Sequence, residues 1–154
     1  MVITRKIISS LVVTLFFLLI LAVTLQVVSR ILSITMPWTE EMARFLFIWL
    51  AFIGGYFTIR RGVNITFDLV IDMLPQSIWK VVFTGLNVVS VLFLGLVGYL
   101  GINLSILNMT NLSPVMGVPY GYIYFALPIG ALVMIFAQIE TYLILIKKRN
   151  EELC

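Results

Sequence analysis

The sequence predicts an all-α integral membrane protein: four transmembrane helices plus a short interfacial amphipathic helix between the second and third. Three observations carry this. Of 154 residues, 62% are hydrophobic and only 11% are charged. A water-soluble domain of this length cannot bury so much apolar surface, so lipid must act as its solvent. The charges also cluster at the ends of long apolar runs and form no face or stripe, the pattern of topology signals and headgroup contacts. That arrangement argues against nucleic acid as a partner, despite a pI near 9.2.

Taken in order, the first run is residues 7–29, uncharged and preceded by Arg5 and Lys6. It is longer than a signal-peptide core and lacks a clear small-x-small cleavage site, so it reads as a retained span. Residues 45–59 are uncharged but too few to cross; extended back to Thr39 they make a second span over 39–60. Pro37 and Thr39 suit its start, and Arg60-Arg61-Gly62 marks its end. In "VNITFDLVIDMLPQ" the apolar residues recur near helical spacing, while Asp68 and Asp72 share the other face. The segment is too short and too charged to cross, so a helix over about 64–74 is expected to lie in the interface. The third span, 81–106, is entered through Trp79 and Lys80. Residues 108–121 hold turn formers and no charge. The last span is 122–146, closed by Lys147, Lys148 and Arg149, with Pro128 kinking it or sitting in its first turn. The whole chain, 1–154, is thus expected to be one four-helix membrane domain.

Four spans put both termini on one side. Arg5, Lys6, Arg60, Arg61, Lys80, Lys147, Lys148 and Arg149 all fall on that side, against Arg30 and Arg44 on the other. The excess of basic residues predicts cytoplasmic termini. Arg60, Arg61, Trp79, Lys80, Lys147, Lys148 and Arg149 are then candidate lipid anchors, each cation gaining about 1 kcal/mol near anionic headgroups.

"PWTEEMARFLFIW" sets Glu40, Glu41 and Arg44 between Trp38 and Trp49 at the opposite boundary. Glu40 and Arg44 have the favourable order for an i,i+4 ion pair, which exposed is worth only about 0.3–0.5 kcal/mol. One reading is a solvated helix entrance. The other is an interface with a second protein, because Glu41 is turned about 100° away from Glu40 and an anchor needs no second acid. Gly54, Gly55, Gly95, Gly98 and Gly101 are candidates for close helix packing, within the chain or against a partner. Glu140 is expected to pair with a basic helix end such as Lys147; the alternative, a proton-relay acid, would want a place nearer mid-membrane than this cytoplasmic end. Asn87 and Ser90, and Asn103 and Ser105, are read as interhelical hydrogen-bonding groups.

The chain has no histidine and one cysteine, Cys154. That excludes bis-histidine haem and an internal disulfide, and leaves few groups for catalysis. No catalytic residue, cofactor or metal site is expected. No charge falls in the middle of any span, where a carrier of charged solutes usually needs polar groups. A rival reading, a self-sufficient dimeric four-helix proton-coupled exporter, would want an acid in the first span, and residues 7–29 have none.

"VVSRILSITMPWTEEMARFLFIWLAFIGGYFTIRRG", "NITFDLVIDMLP" and "VPYGYIYFALPIGALVM" together resemble the small membrane subunit (Q subunit, DctQ type) of TRAP transporters, the tripartite ATP-independent periplasmic carriers. The resemblance covers most of the chain; Asn64 departs from it where family members often have histidine. It implies a non-catalytic subunit of the bacterial inner membrane. Its partners would be a large elevator-type membrane subunit, whose scaffold it enlarges, and transiently a periplasmic substrate-binding protein. The implied activity is sodium-driven uptake of an organic acid. Trp38, Glu40, Glu41 and Arg44 would then meet partner protein at the periplasmic end.

Overall fold

The computed structural model describes residues 2–71 and 76–151, with side chains described for 6–60, 78 and 81–146. It contains helix α1 over Val2–Ile31, α2 over Pro37–Ile71, α3 over Gln76–Leu107, the short α4 over Tyr120–Tyr124 and α5 over Ala126–Glu151. Among the described residues, four stretches are long and apolar enough to cross a membrane: Lys6–Ile31, Pro37–Arg60, Val81–Leu107 and Tyr120–Ile146. Their number is the one the sequence predicts.

The ends of the helices follow from local chemistry. The last turn of α1 closes with Ser33 N–H donating to the Arg30 carbonyl at 3.1 Å and Ile34 N–H to that of Ser29 at 2.9 Å. This is a Schellman motif, and Ser33 takes the left-handed position at φ 57°. Pro37 opens α2, where a missing N–H costs nothing. Thr39 donates its hydroxyl to the Met36 carbonyl at 2.7 Å. Pro128 falls in the first turn of α5 and separates it from α4; Ile129 N–H resumes the ladder on the Phe125 carbonyl at 3.2 Å.

The sequence predicts a break at Arg60–Gly62 and a separate interfacial helix over 64–74. Instead, α2 runs without interruption through Ile71, and residues 72–74 of the predicted helix lie outside the described residues. Arginine favours helix, and a single glycine costs only about 1 kcal/mol, too little to stop a helix already under way.

In space the spans form a row. α1 packs on α2, α2 on α5 and α5 on α3, and among the described residues nothing substantial closes α3 back on α1. Small residues make the central contacts possible: Ala126, Ala131 and Ala137 of α5 are buried. A Cβ added at Gly130 would lie 2.5 Å from the Phe52 Cβ and 3.0 Å from its backbone, so α2 and α5 are close because position 130 has no side chain. Much of the row's apolar surface stays exposed. Even in Tyr120–Ile146 only 22% of an 18-residue apolar stretch is buried, and in Lys6–Ile31 only 6%.

Candidate functional site

Among the described residues, three polar clusters interrupt this apolar row, one at each end and one along the α3–α5 seam. At the end bearing the α1–α2 turn, residues 108–119 fold into a small hairpin. Leu112 and Pro119 form an antiparallel bridge, Ser113 N–H donates to the Val118 carbonyl at 2.9 Å, and Gly117 turns the tip at φ 64°. Glu41, nearly buried, reaches into this hairpin from α2. Its carboxylate accepts the Ser113 hydroxyl, the Val115 N–H at 3.2 Å and the Met116 N–H at 3.0 Å. Hydrogen bonds to a charged acceptor are the strong ones, and three on one carboxylate tie the hairpin to α2.

Sequence reasoning offered Glu41 to solvent or to a second protein. In the structure its carboxylate is taken by the chain's own hairpin. The donors lie more than 70 residues away, and two of them are backbone N–H groups, which no side-chain motif announces. Glu40 and Arg44 do form the expected pair, at 3.3 Å and 61% exposed on both sides. Trp38 stands exposed beside them. The outward-facing part of this boundary is therefore Trp38, Glu40 and Arg44.

At the opposite end, the Arg60 guanidinium donates to Glu140 of α5 at 2.7 Å and to the Tyr56 hydroxyl at 3.1 Å. It also lies 5.6 Å from the Tyr56 ring centroid, within cation–π range. The side chains of Arg60 and Glu140 are only 22% and 17% exposed. Arg60, expected to face headgroups, is thus held inside the row, and Glu140 takes it as partner where Lys147 was expected. Helices place a residue opposite another only once they are packed, so this pairing had no local signal. The side chains of Arg61, Trp79, Lys80, Lys147, Lys148 and Arg149 lie outside the described residues.

The third cluster runs along α3 and α5. Gln138 donates to Asn87 Oδ1 at 2.8 Å, and Asn87 Nδ2 donates to the Phe83 carbonyl at 2.9 Å. One turn further on, the Thr84 and Tyr142 hydroxyls share a hydrogen bond at 3.2 Å. Ser105 donates to the Gly121 carbonyl at 3.1 Å, while Asn103 only bonds back to Tyr99 in its own helix. Gln138, Tyr142 and Ser113 were not singled out in the sequence. A lone glutamine inside an apolar span is the signal that could have found the first.

Of the five glycines expected in helix packing, two are in close quarters. A Cβ at Gly101 would lie 2.7 Å from the Leu127 Cβ, and one at Gly55 would collide with the Met134 side chain. A Cβ at Gly98 would make ordinary contact with the Ala131 Cβ at 3.5 Å, and one at Gly54 or Gly95 would meet nothing within 4 Å. The tight positions also include Gly121 and Gly130, which sequence reasoning passed over. Among the described residues no three histidine, cysteine or acidic side chains come together as a metal site.

Residues 19–148 match the family model described as tripartite ATP-independent periplasmic transporters, DctQ component. The chain is 28% identical over 111 residues to the C4-dicarboxylate TRAP transporter small permease protein DctQ of Rhodobacter capsulatus, covering 70% of this chain and 48% of that one. It is 26% identical over 110 residues to the sialic acid TRAP transporter small permease protein SiaQ of Vibrio cholerae, covering 71% and 64%. It is also 30% identical over 95 residues to the isethionate TRAP transporter permease protein DctMQ of Oleidesulfovibrio alaskensis, covering 60% of this chain and 15% of that much longer protein. The match thus spans less than two thirds of each of these relatives. A row of four apolar spans, with its polar groups at the helix ends and along one seam, and a family match over most of its length together show that this chain belongs to the DctQ family, the DctQ component of TRAP transporters.

Proposed function

We propose that this chain is the non-catalytic small membrane subunit of a TRAP-type secondary transporter in a bacterial inner membrane, with both termini in the cytoplasm. It braces the scaffold of a large elevator-type membrane subunit while that subunit carries an organic acid inward with sodium. Its Trp38–Glu40–Arg44 boundary faces the periplasm, where the substrate-binding protein docks transiently. Arg61, Trp79, Lys80, Lys147, Lys148 and Arg149 anchor the cytoplasmic side in lipid headgroups.

The observation that carries this reading is how the polar side chains are used. Glu41 holds the hairpin, Arg60 and Glu140 hold α2 to α5, and Asn87 and Gln138 hold α3 to α5. Each cluster fastens one element to another, as a rigid support requires. The relatives agree with a support role. The matched stretch is 15% of the permease DctMQ and 21% of the sialic acid TRAP transporter permease SiaT of Haemophilus influenzae. Most of such a permease is therefore machinery that this chain does not resemble.

Co-expression with the neighbouring reading frames and purification in mild detergent should recover a large membrane protein with this chain. Reconstituted together, the two should take up solute only with a sodium gradient and a soluble binding protein present. Solute movement by liposomes holding this chain alone would instead support the self-sufficient exporter.

A further inference from the structure

The α3–α5 seam carries more polar chemistry than the packing of these two helices uses. Asn87, Val88, Val91, Leu92, Gln138 and Ile139 help line an open groove of about 290 Å³ on the surface of the row. Asn87 lies six residues inside the start of the span Val81–Leu107, and Gln138 eight residues inside the end of Tyr120–Ile146. At about 1.5 Å per residue these positions are roughly 9 and 12 Å inside the span ends, within the hydrocarbon.

Gln138 donates to Asn87, but among the described residues no donor reaches its carbonyl oxygen. Lipid tails offer none, and an unsatisfied amide in hydrocarbon is costly. Around this polar floor stand exposed apolar walls: Val88, Leu92 and Ile139. α3 is also the last helix of the row, and among the described residues its substantial neighbours are α5 and the short α4.

We infer that this groove seats a transmembrane helix of the large permease subunit, bearing a hydroxyl or amide donor that completes Gln138. Apolar side chains of that helix pack between Val88, Leu92 and Ile139, and the donor faces the seam. A lipid acyl chain fits the walls but leaves the amide unfilled; a helix with one polar residue satisfies both. The permease DctMQ carries a stretch like this chain within a much longer one, which is consistent with a partner in the same membrane. This assignment rests on the functional reading above and adds the surface through which the two subunits meet.

The test is photo-crosslinking in the co-expressed complex. A benzophenone amino acid replaces Val88 in the groove, or Phe17 on exposed α1 at the other end of the row. Val88 should give a covalent adduct with the large subunit, and Phe17 little or none. Val91→Trp, which fills the groove and leaves the Asn87–Gln138 bond intact, should lower recovery of the large subunit about tenfold or more. The thermal stability of the isolated chain should stay the same. Gln138→Leu should lower recovery as well. Adducts from Phe17 alone, or from Val88 only to lipid or to a second copy of this chain, would overturn the assignment. So would undiminished recovery with Val91→Trp. If the unaltered chain recovers no large subunit at all, the functional reading falls and takes the groove with it. If it does recover one and Val88 is silent, only the groove assignment falls.

Discussion

Arg60 and Glu140, eighty residues apart in sequence, meet at 2.7 Å between α2 and α5 near the end of the spans that bears the termini. Removing one partner of a mostly buried pair leaves the other charge uncompensated, which costs about 3–5 kcal/mol when burial is complete. These side chains keep about a fifth of their surface, so the lower end applies. Arg60→Met should destabilise the purified chain by about 3 kcal/mol or less, read from its unfolding in detergent. Adding Glu140→Leu should return part of that loss, because the stranded carboxylate is removed with its cause. A double mutant no better than Arg60→Met would show that the pair does not hold the helices.

Glu41 fastens the 108–119 hairpin at the other boundary. Glu41→Ala leaves the Ser113 hydroxyl and the N–H groups of Val115 and Met116 without their acceptor. Hydrogen exchange at the amides of 115 and 116 should then approach that of an open loop, while exchange in the centre of α3 stays as it was. Ser113→Ala removes one donor of three and should have a smaller effect. Glu41→Gln keeps an acceptor and should fall between them. Unchanged protection in Glu41→Ala would mean that the hairpin is held by its own bonds alone.

Ser33 occupies the left-handed position that closes α1, at φ 57°. A non-glycine residue there carries a steric penalty of roughly 1–2 kcal/mol. Ser33→Gly should relieve about 1 kcal/mol of it and raise the unfolding midpoint, with no change in α1 or α2. Ser33→Val, branched at Cβ, should lower the midpoint. Equal midpoints for Gly, Ser and Val would show that the turn is reshaped freely and that its φ value has no cost.

The spans were legible because length and apolarity alone decide them; Pro37 marked a helix start for an equally local reason, while Pro128 left a kink and a first-turn place both open. Glu40 and Arg44 were legible because they pair within one turn. What escaped was everything set by the packed row. The Glu41 carboxylate finds its donors in a hairpin, and Arg60 finds Glu140 across two helices. α2 passes Gly62, a position that looked like a stop. Gly121 and Gly130 carry tight packing that an every-third-residue pattern in α3 drew attention away from. In each case the deciding neighbour lies far off in sequence, and periodicity says nothing about which faces meet.

The glycines offer a direct check of that distinction. Gly130 sits against the Phe52 backbone, and Gly101 against Leu127 and Pro128, so a methyl group at either must push two helices apart. Overpacking of this kind typically costs about 1–3 kcal/mol. Gly130→Ala and Gly101→Ala should each destabilise the isolated chain by that amount. Gly54 and Gly95 meet nothing within 4 Å, so Gly54→Ala and Gly95→Ala should leave the isolated chain as stable as before or slightly more so, since alanine favours helix. The larger Gly54→Leu and Gly95→Leu separate the roles of these two open positions. If a partner helix lies against one of them, leucine there should abolish recovery of the large subunit while the isolated chain unfolds at its usual midpoint. Recovery undisturbed by both leucines would assign these glycines to lipid-facing surface and leave partner packing to other residues.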